Sequence, residues 1–205
     1  MPELPEVESI KKIVSPIFIG QKLIKYSIND ERTNRFNSKI PNNLGVLLDI
    51  SRIGKVLDFT FEDYSILFHL GMSGRIEINC KITKHTRAEF KFNQDYLLFD
   101  DIRKFGYIKI TSNDLKDIHL QMIGPDILEL SIKNKRNILE KAKKSKVTIK
   151  NFLLNQKNMS GLGNIYVNEV LFKAKINPLS ITEKLNQNHW NDIFLYSKKV
   201  LTSAI

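Results

Sequence analysis

Met1-Pro2-Glu3-Leu4-Pro5-Glu6-Val7-Glu8 opens the chain, with prolines at positions 2 and 5 and acids between and after them. Two readings compete. In the first, Pro5 sits in the first turn of a helix, where its missing N–H leaves nothing unsatisfied, and the acids complement the helix dipole. In the second, loss of Met1, which the small following residue permits, exposes the ring nitrogen of Pro2 as a nucleophile. An α-amino group has a reference pKa of about 7.7–8.0 against about 10.4 for lysine, so far more of it is unprotonated at neutral pH. A secondary amine also condenses with a sugar carbon to an iminium that is always cationic, an electron sink that needs no further proton. Glu3, bonded to it, lies within reach of whatever Pro2 attacks and can carry protons.

Working outward, Val7, Ile10, Val14 and Ile17 fall at helical spacing and predict an amphipathic helix over 5–18, ended by Gly20. From 22 to 111 the texture changes to short β-rich runs at 22–28, 45–50, 56–61, 65–69, 75–78, 88–92, 96–99 and 107–110. Glu62-Asp63 and Asn93-Gln94-Asp95 read as hairpin turns. Strands at this spacing predict a sandwich of two sheets. Residues 112–130, with Gly124-Pro125-Asp126, read as a connector. Helical patterns follow at 132–144, 148–154, 165–173 and from 188 to the end. The expectation is an α+β chain: a β-sandwich domain over 1–115 with its N-terminal helix, a connector at 116–130, and a helical domain over 131–205.

Composition narrows the partner. The 205 residues carry 42% apolar and 26% charged side chains, as an ordinary globular protein does. No apolar run approaches the roughly 20 residues that span a bilayer, and no signal-peptide pattern opens the chain, so a cytoplasmic protein is expected. The single cysteine, Cys80, excludes an internal disulfide framework and a cysteine-based zinc site. The net charge of +10, with a pI near 9.6, points to a polyanion.

Four strings carry chemistry. Arg52-Ile53-Gly54-Lys55 is either a turn with solvated charges or a lysine presented beside a strand. His69-Leu70-Gly71-Met72-Ser73-Gly74 places a long apolar side chain on a tight turn. Met72 either folds back as a gap-filler or stays exposed for a purpose. Asp101-Ile102-Arg103-Lys104-Phe105-Gly106 likewise presents an arginine and an aromatic ring beside a glycine. Gly161-Leu162-Gly163-Asn164 lacks the preceding strand that a nucleotide-phosphate loop requires. Flanked by helices, it offers backbone N–H groups and a helix dipole to an anion, with Asn164 joining that anion or capping the helix.

The opening string together with these motifs resembles the formamidopyrimidine-DNA glycosylase and endonuclease VIII family, and its Leu4 form resembles the formamidopyrimidine branch. The resemblance runs in order from Pro2 to about Ile205. It implies a bifunctional glycosylase and abasic-site lyase acting on oxidised purines in damaged double-stranded DNA, a monomer in the bacterial cytoplasm. Pro2, Glu3 and Lys55 would be catalytic, Lys55 at the phosphodiester beside the lesion. Extruding a base from the duplex costs a few kcal/mol in unstacking. Met72 and Phe105 would fill the gap as wedges, as architectural proteins do when they kink DNA. Arg103 would face the partner base, reading the acceptor pair of guanine from the major groove or the acceptors on the pairing edge of cytosine. His69, Lys150 and Asn164 would be DNA-binding. Arg87 stands where the family often has a histidine near a phosphate, and a solvated loop is the other reading of Lys84-His85-Thr86-Arg87.

The family continues into a loop over the flipped base and a four-cysteine zinc finger, and one cysteine cannot build that finger. The expectation is therefore a chain without zinc or other cofactor, shortened after its last helix, impaired most in lesion selectivity. A catalytically silent damaged-DNA binder and a basic RNA- or ribosome-associated protein are the competing classes.

Overall fold

A computed structural model describes residues 2–36, 45–120 and 122–205, apart from the side chains of 117–119. The expected removal of Met1 concerns a residue outside the described ones.

The chain divides into two compact units. The first comprises Pro2 and Glu6–His119, the second Glu3–Pro5 and Leu120–Ile205. The first unit is a sandwich. Helix α1 (Leu4–Phe18) is followed by β1 (Leu23–Ile28), β2 (Asp49–Ile53), β3 (Val56–Thr60), β4 (Tyr64–His69), β5 (Gly74–Ile78), β6 (Thr86–Phe92), β7 (Tyr96–Asp101), β8 (Tyr107–Ser112) and α2 (Asn113–Leu120). Two four-stranded sheets form, ordered β1-β6-β7-β5 and β2-β3-β4-β8, and neighbouring strands in each are antiparallel. Their inward faces supply one core that includes Leu57, Phe59, Phe68, Phe90, Phe99 and Ile108 together with Val7, Val14 and Phe18 of α1. Alternation of buried and half-exposed residues along β8 shows why the pattern reads as strand: one face is in the core and the other is not.

The second unit is helical: α3 (Ile132–Ala142), α4 (Ile149–Leu154), α5 (Asn164–Lys173) and α6 (Gln187–Ala204). Its core gathers Ile138, Phe152, Leu153, Val167, Leu171, Trp190 and Ile193, and Leu4 joins it. Ser131 and Thr148 cap α3 and α4 through their hydroxyls, and Asn186 with His189 forms a capping box on α6.

Three expectations need correction. The strand expected at 45–50 lies at Asp49–Ile53, because β3 offers its pairing partners there. Val46 makes only an isolated bridge with Lys22, and Leu47 is buried by backbone bonds to Gly20 and Gln21. The connector is not structureless, since it holds α2 and a 3₁₀ turn at Ile127–Glu129. Asn113 anchors α2 by donating to the carbonyls of Phe61 and Glu62, and Lys116 pairs with the buried Asp58 at 2.8 Å. The residue capping α5 is Gly163 rather than Asn164, which begins the helix itself.

Candidate functional site

In the first unit the strings 69–74 and 101–106 are adjacent turns. Each crosses between the sheets, since β4 leads to β5 and β7 leads to β8. Cross-strand pairs bound them on both sides, Gly74 opposite Asp101 and His69 opposite Tyr107. Their backbones touch. A Cβ on Gly71, whose φ is +60°, would lie 2.4 Å from the Gly106 nitrogen, so no larger residue fits there without separating the turns. Asp101, fully buried, holds both turns at once. Its carboxylate accepts from the Ser73 hydroxyl (2.5 Å), the Arg103 N–H (3.1 Å) and the Gly106 N–H (2.8 Å). Burying a carboxylate is tolerable only with such donors around it. What this base holds up is apolar and exposed: Met72 is 41% and Phe105 49% accessible, and the Arg103 guanidinium lies 5.0 Å over the Phe105 ring. Met72 therefore does not fold back into the core.

Lys55 lies in the turn next to the rung that carries His69. Gly54-Lys55 form the two-residue turn between β2 and β3, and Val56 at its exit pairs with His69. Arg52, on the entry side, fixes this turn by donating to the Gly54 carbonyl (2.8 Å) while its Nε bonds Glu8 of α1 at 2.7 Å. Burial opposes the charge on Glu8, but hydrogen bonds from Lys11 and Arg52 outweigh it and hold the carboxyl below its ordinary 4.5. Lys55 itself is buried. His69 is pushed down to about 4, first by burial and then by the charges of Lys55 and Arg35. It is thus neutral near pH 7. Its Nδ1 accepts the Gly71 N–H at 3.2 Å, which leaves the proton on Nε2. Arg87 has its Nε on the Asp101 carbonyl (2.8 Å) and Nη1 on the Lys84 carbonyl (3.2 Å), so it braces the base of the second turn as well as being half-exposed.

In the second unit the glycine loop meets Glu3. This carboxylate is 1% accessible and accepts from the N–H groups of Gly163 (2.8 Å), Ile165 (2.9 Å) and Tyr166 (3.2 Å). The Leu4 N–H donates to the Gly161 carbonyl (3.2 Å). A Cβ on Gly163 would lie 2.3 Å from the Glu3 carboxyl carbon, so the loop is glycine where the acid comes closest. The N–H groups expected to await an external anion are therefore taken, at these three positions, by an anion of the chain's own, and the partial positive end of α5 favours it. Asn164 is exposed at the head of α5, and Lys150 is half-exposed on α4 with its backbone N–H on the Pro178 carbonyl (3.3 Å). Gln156 shapes the loop from within, its amide reaching the carbonyls of Leu154 and Leu162 and accepting from Gly161.

The structure thus groups His69, Met72, Arg103 and Phe105, with Lys55 beside His69 and Arg87 beneath, and separately groups Glu3 with Asn164's helix. Sequence reasoning missed Asp101, Arg52 and Arg35. Asp101 and Arg52 each open a motif and so left a local signal; Arg35 left none, because it reaches carbonyls some seventy positions along the chain. Among the described residues no three His, Cys, Asp or Glu side chains gather in a way that could hold a metal ion, and Cys80 is exposed. No helix is long and apolar enough to cross a membrane among the described residues.

Residues 1–108 match the model of the formamidopyrimidine-DNA glycosylase N-terminal domain, and residues 123–205 match that of the formamidopyrimidine-DNA glycosylase H2TH domain. The formamidopyrimidine-DNA glycosylase of Oceanobacillus iheyensis is 34% identical over 220 residues, covering 100% of this chain and 77% of that protein. That of Psychromonas ingrahamii is 33% identical over 217 residues, with 100% and 78% covered. Among solved structures, the Lactococcus lactis glycosylase bound non-covalently to DNA containing an abasic site gives a TM-score of 0.89 at 31% identity, covering 100% of this chain and 82% of that one. MutM in complex with DNA containing carbocyclic 8-oxoguanine gives 0.88 at 30% identity, with 99% and 80% covered.

Proposed function

Because the chain belongs to the formamidopyrimidine-DNA glycosylase family, we propose that it excises oxidised purines from duplex DNA and then cleaves the abasic site, in base-excision repair. The observation that carries the reading is Glu3, an acid bonded to the candidate nucleophile and held by three backbone N–H groups in a buried loop. Such fixing serves a reacting group, since a catalytic side chain must be positioned before it is useful.

The Pro2 nitrogen, relieved of Met1, forms a bond to C1′ of the extruded nucleotide, and the glycosidic bond breaks with its electron pair going to the base, which takes up the proton that the Pro2 nitrogen loses. Glu3 carries the proton that opens the sugar ring at its oxygen, leaving an iminium between Pro2 and C1′. That cation acidifies the C2′ proton. Its loss expels the 3′ phosphate, a second elimination expels the 5′ phosphate, and water releases the sugar remnant from Pro2. Lys55 holds the phosphodiester beside the lesion. Met72 and Phe105 occupy the vacated stack, and Arg103 addresses the orphaned base. Lys150, Asn164, His69 and Arg87 take phosphates, which position the protein without reading sequence.

Borohydride reduction of a mixture of protein and abasic duplex tests this. A covalent protein–DNA adduct is expected, weakened in Pro2→Gly. No adduct from protein demonstrably lacking Met1 would overturn the lyase step.

A further inference from the structure

A column of three side chains stands behind the two turns of the sandwich unit. The Arg35 guanidinium lies 5.1 Å from the Tyr107 ring centroid, and that ring stacks on His69 at 4.9 Å with 6° between planes. Arg35 is also fastened at its far end, Nη2 donating to the carbonyls of Phe105 (3.2 Å) and Gly106 (2.9 Å). The segment bearing it is tied to the same region twice more, by Asp30 with Lys104 at 2.6 Å and by the Ile108 N–H on the Thr33 carbonyl at 2.9 Å. At the other end of the column, His69 receives the Gly71 N–H. One stack therefore reaches from the turn of Phe105 to the turn of Met72.

We propose that Arg35 is a positioning residue: by clamping Tyr107 onto His69 it holds the imidazole with Nδ1 on the Gly71 N–H and keeps the turns of Met72 and Phe105 in mutual register. Planarity matters, because a guanidinium can stack flat on a ring while donating to carbonyls from its edge, whereas an ammonium is a point charge with no face to stack. Charge matters too. Among the described residues, the groups shown acting on His69 are Lys55 from the β2–β3 turn, Arg35 and the Tyr107 ring, and both cations oppose a third positive charge, adding to the effect of burial. A protonated His69 would lose the Nδ1 lone pair that receives Gly71, so the turn of Met72 would loosen.

The proposal draws on the repair reading only for what the turns are for. Its test needs no DNA. The full chain, labelled at its 4 histidines, is titrated by NMR as wild type, Arg35→Gln and Arg35→Lys, and exchange of the Gly71 amide is followed in parallel. Wild-type His69 should stay neutral, with its proton on Nε2, from about pH 5.5 to 8. In Arg35→Gln the midpoint should rise by about one unit or more, with Gly71 exchanging faster as pH falls through the new midpoint. Arg35→Lys should restore the midpoint only in part, since charge returns without the clamp. An Arg35→Gln protein that merely melts earlier, with His69 and Gly71 unchanged, overturns the proposal, as does a full restoration by lysine. Should Arg35→Gln fail to fold, the lysine variant alone decides by the same readout. Absence of a borohydride adduct in wild type would sink the lyase reading and leave this titration untouched.

Discussion

The two glycine-rich places solve opposite problems. In the sandwich unit, the turns at 69–74 and 101–106 bury an acid and expose apolar side chains; Asp101 is fully enclosed while Met72 and Phe105 stand in solvent. In the helical unit, Gly161, Leu162 and Gly163 are themselves buried, and the loop closes around Glu3 from the chain's beginning. Exposed apolar surface on a rigid base suits insertion between bases. An enclosed carboxylate on backbone donors is fixed in one place, as a reacting group must be. The difference teaches that a glycine motif marks close backbone approach, and that its neighbours decide whether the result is a platform or a socket.

The largest effect should come from emptying the socket of its chemistry. Glu3→Gln keeps an oxygen for the loop's N–H groups but carries no proton, so excision of 8-oxoguanine should fall about 10²–10⁴-fold. Cleavage of a preformed abasic site should fall less. The new amide turns its NH2 toward at least one of the backbone N–H donors, so stability should also fall, by about 1–2 kcal/mol. Matching losses in both activities would place Glu3 outside the base-release step. Next comes the platform's keystone. Asp101→Ala strips the acceptor from three donors and should destabilise the sandwich unit by about 3 kcal/mol in urea melts; a loss under about 1 kcal/mol would mean that the turns hold each other without it. The exposed wedges should behave in the reverse manner. Met72→Ala or Phe105→Ala should leave urea melts unchanged yet weaken binding to a lesion-bearing duplex about tenfold, or about 1.4 kcal/mol, measured by fluorescence anisotropy. The smallest effect concerns the brace behind Lys55. Glu8 is held below its ordinary 4.5, so its contribution is fully present above that value and fades as pH falls through the lower folded one. Glu8→Gln should thus cost about 0.5–1 kcal/mol at neutral pH, with the gap to wild type closing in acid. A gap that persists there would assign the loss to packing.

Period and turn chemistry made the sandwich and the helices legible, because β8 and α6 each present one buried face. They failed where structure depends on a distant partner. The run Val46-Leu47-Leu48 has the composition of a strand, yet β3 pairs with Asp49–Ile53 instead. Asn113–Leu120 is short and polar, so nothing local distinguished it from a connector; its anchor is the pair of carbonyls at Phe61 and Glu62. The same divide runs through the site. Met72, Arg103 and Phe105 announced themselves beside glycines. Arg35, in the polar run Asp30-Glu31-Arg32-Thr33-Asn34-Arg35, has no such signal, for its partners lie some seventy positions away. The place of Glu3 next to Pro2 marks it as a proton carrier. Its grip on a loop 160 residues later is invisible to any window of sequence.

The most direct test is to find where the sugar becomes attached. After borohydride fixation on an abasic duplex, nuclease digestion and peptide mass mapping should locate the remnant on the N-terminal peptide, at Pro2, in a chain whose mass lacks methionine. A remnant on Lys55 or any other lysine, or an equal yield from chains that retain Met1, would contradict the account.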